Sequence, residues 1–446
     1  MNHSSLRVSH STLSTFQQVD VDEVWKQEDS QWRSVQDKFP DYQFPKLEHS
    51  LYEKCKEVIN KPVVIQDIKW SRDGTSITTV SNDTGIRQYL IPEENTQENI
   101  VNDVTTGSKL LTPFIRKFKN RSIVCSETHP LNSMYDEKYN FVLLSSRDMP
   151  IQMYDLSPQE TGSSSIRFSY EIMNPLNEKL EVPYSIKIFP NQNETFYTGG
   201  NGNKIKVYDM SRSFCVNEYY SRRGKGSKSI ISCFDDRSTN YVMNDKVLIW
   251  ANYKNEVGQL DIRCAPNDTR AMRSRYTIPR ASGDGIYQML RSDNDHYLYV
   301  LLRKSNKIQI FDHRGTLDPI NSLTLPFKIG YQKQKAIIDE DQGFLLGSDK
   351  GTLLTWDKSL IEAGGVCKSG SNDNENSEYS TITLKGMFNV QGNNTRIHLV
   401  SRNPNHGSSI HSYAAATSSD RNYNRSISSS STPHCSLFIS TPMDSS

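Results

Sequence analysis

The chain has little that would fix it by covalent or metal chemistry. Its cysteines, Cys55, Cys125, Cys215, Cys233, Cys264, Cys367 and Cys435, are odd in number, scattered and never spaced as CxxC. That excludes a disulfide framework and a zinc knuckle, and fits a reducing compartment. No run of about 18 apolar residues occurs, and the N-terminus MNHSSLRVSHSTLSTF has no basic segment leading into an apolar one, so neither a membrane span nor secretion is expected. Net charge is missing too: 52 Lys plus Arg face 51 Asp plus Glu, a formal +1 over 446 residues. Bulk charge therefore cannot hold the chain to nucleic acid, and any basic surface must be local.

Catalytic signatures are equally scarce. The ten histidines form no HExxH or HxH pair and GxSxG is absent. Gly224-Lys225-Gly226-Ser227-Lys228-Ser229 lacks the first glycine that a phosphate-cradling GxxxxGK[ST] loop requires. Carboxylate pairs carry no signal for acid and base catalysis in a chain with 51 acids. The expectation is a protein that is not an enzyme, with no catalytic residue, cofactor, metal ligand or small-molecule substrate.

What is present is a repeat. Short β-branched and aromatic runs, IRQYL, IQMYD, IKVYD, VGQLD, IQIFD and LLTWD, follow polar turns, and five of them close on Asp155, Asp209, Asp261, Asp312 and Asp357. Those carboxylates recur at intervals of 54, 52, 51 and 45 residues, slightly longer than a compact WD-repeat blade, as loop insertions would make them. A second element, an alternating strand ending at a polar turn, occurs seven times, from DIKWSRDGT at Asp67 to IHLVSRNPN at Ile397. Period-2 alternation bounded by Asp-Gly, Pro-Asn and Asn-Gly turns predicts antiparallel strands. Sheets that cannot bury both faces alone must stack around an axis, which predicts an all-β, seven-bladed propeller over residues 61–442 in place of three domains.

The closing Asp is read as structural, accepting turn hydrogen bonds while the aromatic before it fills space between sheets. Asp83 and Asp148, six places before Tyr89 and Tyr154, take the position of a buried blade-stabilising carboxylate. Gly202, Ser305 and Lys350 replace it elsewhere, so the repeat is degenerate.

Residues 1–60 read as a flexible polar tail. Residues 363–380 read as a disordered Gly, Asn and Ser-rich insertion, and residues 425–433, RSISSSSTP, as a Ser-rich loop that could take phosphate. The apolar run CSLFIS (Cys435 to Ser440) is the expected C-terminal contribution to ring closure, pairing near PVVIQDIK at Pro62 to Lys69.

Basic clusters are the candidates for function. Arg116, Lys117, Lys119 and Arg121 form one, Arg222, Arg223, Lys225 and Lys228 a second, and Arg270, Arg273, Arg275 and Arg280 a looser third. All are expected in loops at the rims, near Phe118, Tyr219, Tyr220 and Tyr276, where cations meet phosphates and rings stack on unpaired bases. The competing reading of any one cluster is a solvated loop whose charges offset neighbouring acids. In the N-terminal segment, Leu13, Phe16, Val19 and Val21 have the spacing of an export-type motif that lays an apolar face in a partner's groove. An incidental apolar spacing, or an extra edge strand, explains them equally.

Three segments, IKWSRDGTSITTVSNDTGIRQYLIPEE (Ile68 to Glu94), SSRDMPIQMYD (Ser145 to Asp155) and KSIISCF (Lys228 to Phe234), resemble the WD-repeat proteins related to the telomerase Cajal body protein. Within that group the chain is most similar to the fungal branch, nuclear WD-repeat proteins of pre-mRNA splicing that associate with small nuclear ribonucleoproteins. The resemblance implies a nuclear, non-enzymatic scaffold that supports the U1 snRNP at the 5′ splice site, with RNA contact direct or indirect. Two alternatives stay open: an RNA-binding assembly factor for small Cajal body or telomerase-type particles, and a purely protein-binding scaffold.

Overall fold

The computed structural model describes residues 6–11, 64–82, 84–91, 109–111, 113–119, 121–156, 166–174, 177–189, 194–220, 229–237, 246–292, 294–315, 318–331, 334–339, 343–358, 361, 380–385, 395–404, 413–419 and 437–442. Almost every regular element among them is a strand, with one turn of 3-10 helix at Arg280–Ser282. Antiparallel ladders gather the strands into groups of four. The first is β2 (Ile65–Trp70), β3 (Ser76–Ser81), β4 (Gly85–Leu90) and β6 (Pro113–Phe118). Next come β7 (Ile123–Thr128), β8 (Phe141–Ser146), β9 (Ile151–Asp155) and β10 (Ile166–Tyr170), then β11 (Ser185–Ile188), β12 (Thr195–Gly200), β13 (Lys204–Asp209) and β14 (Cys215–Tyr220).

The fourth and fifth groups are β15 (Ile231–Arg237), β16 (Val247–Asn252), β17 (Glu256–Asp261) and β18 (Met272–Thr277), and β19 (Ile286–Arg291), β20 (Tyr297–Leu302), β21 (Lys307–Asp312) and β22 (Asn321–Thr324). Parallel pairing of β15 with β19 joins these two into one eight-stranded sheet. The sixth is β23 (Ile337–Asp339), β24 (Gly343–Gly347), β25 (Thr352–Trp356) and β26 (Ser380–Lys385). The last is β27 (Thr395–Arg402), β28 (Tyr413–Ser419) and β29 (Leu437–Pro442), with β1 (Leu6–Ser11) as its fourth strand. The short β5 (Lys109–Leu110) pairs with β1. The architecture is all-β and propeller-like, as the alternation predicts.

Burial along the strands shows why the groups must stack. Second strands such as β3 and β8 are buried at every position, and β20 at all but its first, so both faces are covered by neighbouring sheets. Outer strands β10 and β18 alternate between covered and open positions, the pattern of a sheet edge with one wet face. Each buried aliphatic side chain contributes about 1.5–3 kcal/mol. The closing aromatics fill the seams: Phe311 stacks on Tyr276 of the preceding group at 4.6 Å, and Tyr208 meets Tyr170 of the preceding group edge-on at 6.0 Å.

Three of the five closing carboxylates accept the turn bonds expected of them, and Asp155 instead pairs with Arg167 at 2.9 Å. Asp209 Oδ1 takes the Ser211 N–H at 2.8 Å, Asp261 Oδ1 the Arg263 N–H at 3.0 Å, and Asp312 Oδ1 the Arg314 N–H at 3.0 Å. Other expectations change. Asp148 is exposed in a turn at φ 55°, and Asp83 lies outside the described residues. The most deeply buried carboxylates between sheets are instead Asp235, paired with Arg291 at 3.0 Å, and Asp339, paired with Arg402 at 3.1 Å. They stand in inner strands and are held by an arginine of a different group, a pairing no local spacing reveals.

Closure of the ring also differs. β29 pairs with β28 and β1, not with residues 62–69. Leu6–Ser11, read above as part of a tail, is thus the strand that completes the last group. Residues 62–63 lie outside the described residues, and β2 meets the last group through side chains: His398 Nε2 lies 2.6 Å from the Ile65 carbonyl oxygen and Trp70 Nε1 donates to the Ser401 carbonyl at 3.3 Å. Cys125, Cys215, Cys233 and Cys264 form no disulfide. Of the insertion read over residues 363–380, Ser380 opens β26 and the rest lies outside the described residues, as do residues 425–433 and the Leu13, Phe16, Val19 and Val21 motif.

Candidate nucleic-acid interface

Inner strands of successive groups run the same way, so the turns between second and third strands share one rim with the connections entering the next group. Each such turn needs a residue in the left-handed region before the third strand. Thr84, Asp148, Asn203, Asn255 and Lys304 take it at φ 54° to 63°, and Gly351 at 73°. Hydrogen bonds then stitch turn to connection along the rim. Asn203 N–H donates to Ser229 O at 2.8 Å, Asn255 Nδ2 to Gly283 O at 2.8 Å, Arg303 N–H to Gly285 O at 3.0 Å, and Ile329 N–H to Ser305 O at 2.8 Å. Arg396 Nη2 reaches Gln334 Oε1 at 2.5 Å and Ile397 N–H reaches Ser348 O at 3.0 Å.

This stitched stretch carries Lys254, Arg280, Arg303, Lys304, Lys307, Lys328, Lys350 and Arg396, against the exposed acids Asp284 and Asp349. Arg280, Lys307, Lys328 and Lys350 are exposed and make no ion pair with a described residue. Aromatics sit among the cations: the Arg303 guanidinium lies 4.5 Å from the Tyr253 ring centre, and Lys304 Nζ 4.9 Å from that of Tyr331, which is 66% exposed. On the opposite rim three arginines are held by carboxylates of their own turns, while Arg72, in the β2–β3 turn, is exposed without a described ion pair. Arg263 binds Asp261 at 2.7 Å, Arg270 binds Asp268 at 2.9 Å and Arg314 binds Asp312 at 2.7 Å.

The clusters singled out in the sequence distribute unequally over this surface. Arg222, Arg223, Lys225 and Lys228 lie outside the described residues. Arg121 is exposed beside the first-to-second connection. Arg116 and Lys117 stand in strand β6, not in a loop. Lys117 Nζ donates to the Asp155 carbonyl oxygen, and burial pulls its pKa down to about 8 against the attraction of Asp155. Lys119 is 5% exposed, donates to Gln152 Oε1 at 2.8 Å and lies 5.0 Å from the Tyr154 ring centre; burial also brings its pKa to about 8. Both lysines face the second sheet, since a strand bound for the rim still packs its side chains on its neighbour. Of the third cluster only Arg280 reaches the stitched rim. Arg270 is on the other, and Arg273 and Arg275 are in β18, where Arg275 donates to Gln259 at 2.8 Å.

Sequence reasoning missed Arg303-Lys304-Ser305-Asn306-Lys307, although its density of cations was open to the same search. Lys328 had no local signal, because only the pairing of β21 with β22 brings it beside Lys307.

The inner strands meet at a central channel of about 130 Å³, too small for a nucleotide. Its charges compensate one another: Lys69 binds Glu127 at 2.7 Å, Lys187 binds Asp236 at 2.6 Å, and Lys335 binds Asp67 at 3.1 Å. Burial works against the Lys69 ammonium, but Glu127, Asp67 and Asp236 outweigh it and hold its pKa above the usual lysine range. Burial likewise opposes the Asp236 carboxylate, and Lys187, Lys69 and Lys335 overcome it and hold its pKa below the usual range. A neutral, interdigitated channel binds the inner strands to each other; the rim is where uncompensated charge remains. Among the described residues no group of His, Cys, Asp or Glu is placed to hold a metal ion.

The chain is 37% identical over 372 residues to Protein SWT21 of Vanderwaltozyma polyspora, covering 81% of this chain and 82% of that protein. It is 34% identical over 421 residues to Protein SWT21 of Kluyveromyces lactis, covering 92% and 94%, and 38% identical over 318 residues to that of Saccharomyces cerevisiae, covering 69% and 84%. No family model matches the chain.

Proposed function

Because the chain belongs to the yeast family of proteins named Protein SWT21, we propose that it is a non-enzymatic nuclear factor of pre-mRNA splicing that associates with small nuclear ribonucleoproteins. In this reading it helps hold the U1 snRNP at the 5′ splice site. The observation that carries it is the unequal charge of the two rims: on one, Arg263, Arg270 and Arg314 are paired with turn carboxylates, while the other leaves Arg280, Lys307, Lys328 and Lys350 exposed without a described ion pair and open to phosphates, with Tyr331 beside them for unpaired bases. The resemblance of the sheet sequences to nuclear splicing WD-repeat proteins supports the choice of particle, and the charged rim supports contact with it.

A second reading, a scaffold that touches only protein, is favoured by the outer strand of the third group and the residue before it, where Phe214, Val216 and Tyr220 are 54%, 42% and 44% exposed. Recovery of the tagged full chain from nuclear extract, with sequencing of its RNA and identification of its proteins, separates the two. Enrichment of U1 RNA is expected. Proteins recovered with no small nuclear RNA above background would leave the scaffold.

A further inference from the structure

An open cleft of about 610 Å³ lies on the stitched rim at the fifth group. Its mouth carries Lys304 and Lys307 from the β20–β21 turn and Lys328 from the connection after β22, with Ser282 and Asn306 between them. Asp284 binds Lys304 at 3.1 Å, which leaves Lys307 and Lys328 as exposed cations without a described carboxylate. Leu325, Pro326 and Phe327 line it as well, and Gln309 is a lining residue more covered than the lysines. Gln309 is 9% exposed, and its Oε1 is buried with no hydrogen-bond partner among the described residues. A buried acceptor left unpaired is costly, so such a group lining a cleft marks where a ligand's donor is to be met.

Exposed cations, apolar lining residues and a covered amide are the requirements of a nucleotide: phosphate, flat base and hydrogen-bonding base edge. We propose that this cleft is a subsite for one nucleotide of a single-stranded RNA, its phosphate on Lys307 and Lys328 and its base against the apolar lining residues and the Gln309 amide. The proposal deepens the RNA-contact reading and rests on it. The volume falls within the ordinary range of ligand pockets, roughly 300–1,000 Å³. Tyr331, held beside Lys304, offers a stacking face for the adjoining base. A phosphorylated side chain would use the lysines and leave the apolar residues and the amide idle, so its chemistry fits less of the cleft.

The test uses the full chain and a ten-nucleotide single-stranded RNA carrying 4-thiouridine. Ultraviolet crosslinking should join the RNA to peptides spanning 304–309 or 325–331. Because Lys307 and Lys328 are exposed, K307E/K328E should keep the wild-type melting temperature. It should weaken binding about tenfold at ~0.1 M salt and flatten the slope of log affinity against log salt by about 0.7, one phosphate on a single strand. Q309L should weaken binding about fivefold with the slope unchanged. Adducts confined to other peptides, or unchanged binding by K307E/K328E, would overturn the subsite. So would binding of a phosphoserine peptide that is lost in K307E/K328E while the RNA stays unbound. If the chain still recovers small nuclear RNA from extract in those cases, the subsite alone falls. If the crosslinks lie in the cleft but extract yields no small nuclear RNA, the ribonucleoprotein reading falls and the subsite stands.

Discussion

Gly343 and His398 show how much can hang on one residue of a stacked sheet. Gly343 opens β24 at φ 79°, and a Cβ there would stand 2.1 Å from the Trp356 carbonyl oxygen and 2.8 Å from Lys358 N. Both obstacles are backbone, so Gly343→Ala must move a strand; a loss of about 3 kcal/mol is expected in urea denaturation. His398 is buried at the junction of the last and first groups, 2.6 Å from the Ile65 carbonyl oxygen, and burial lowers its pKa from 6.5 to about 4. The folded state therefore binds fewer protons there than the unfolded chain. Its contribution is complete above pH about 6.5 and is lost as pH falls through about 4, on the order of 3 kcal/mol. Melting temperature followed from pH 7 to 4 should show this limb, and His398→Gln, which keeps a donor for Ile65, should flatten it. The closing Asp209, Asp261 and Asp312 were legible in the sequence because their turn bonds reach only two residues on. Lys117 and Lys119 were not, because their partners Asp155 and Gln152 lie 38 and 33 residues away.

Among elements, ion pairs between inner strands do work that the repeat pattern does not announce. Asp235, at 0% side-chain exposure, holds Arg291 of the next group and accepts the Ile249 N–H at 2.9 Å. Removing one member of a buried pair strands the other, so Asp235→Ala should cost about 3–5 kcal/mol. The double change Asp235→Ala with Arg291→Met should cost clearly less than the sum of the single ones. A double-mutant cycle by chemical denaturation measures the difference, and additive losses would mean that the pair is not coupled. Strand existence was legible from alternation in β10 and β18 and from short apolar runs in β8 and β20. Which carboxylate is buried was not, since Asp235 and the partly open Asp236 are neighbours of the same type.

For the whole molecule, closure depends on the two ends of the chain meeting. β1 pairs antiparallel with β29 and parallel with β26, so it ties the last group to the sixth. Deleting residues 1–11 removes both ladders and leaves two sheet edges unpaired. A lower melting temperature and a broadened transition are expected in calorimetry. The same result is expected of a chain ending at Ser431, which lacks β29. An unchanged, equally sharp transition in both would mean that the ring is held without its terminal strands. The N-terminal strand escaped a sequence reading because LRVSHS is short, polar at alternate places and flanked by residues typical of tails.

The sequence by itself determined the all-β class, the repeat and its closing aromatic and carboxylate, because period-2 alternation and turn chemistry act within a few residues. It also determined that nucleic-acid contact could come only from local clusters, since the total charge is +1. Tertiary structure alone decided which cations remain uncompensated. Packing turns Lys117 and Lys119 onto a neighbouring sheet, while ladder pairing brings Lys328 beside Lys307 on one rim. Charge acts through space at a few ångströms, and in a stacked ring those neighbours lie tens or hundreds of residues apart along the chain.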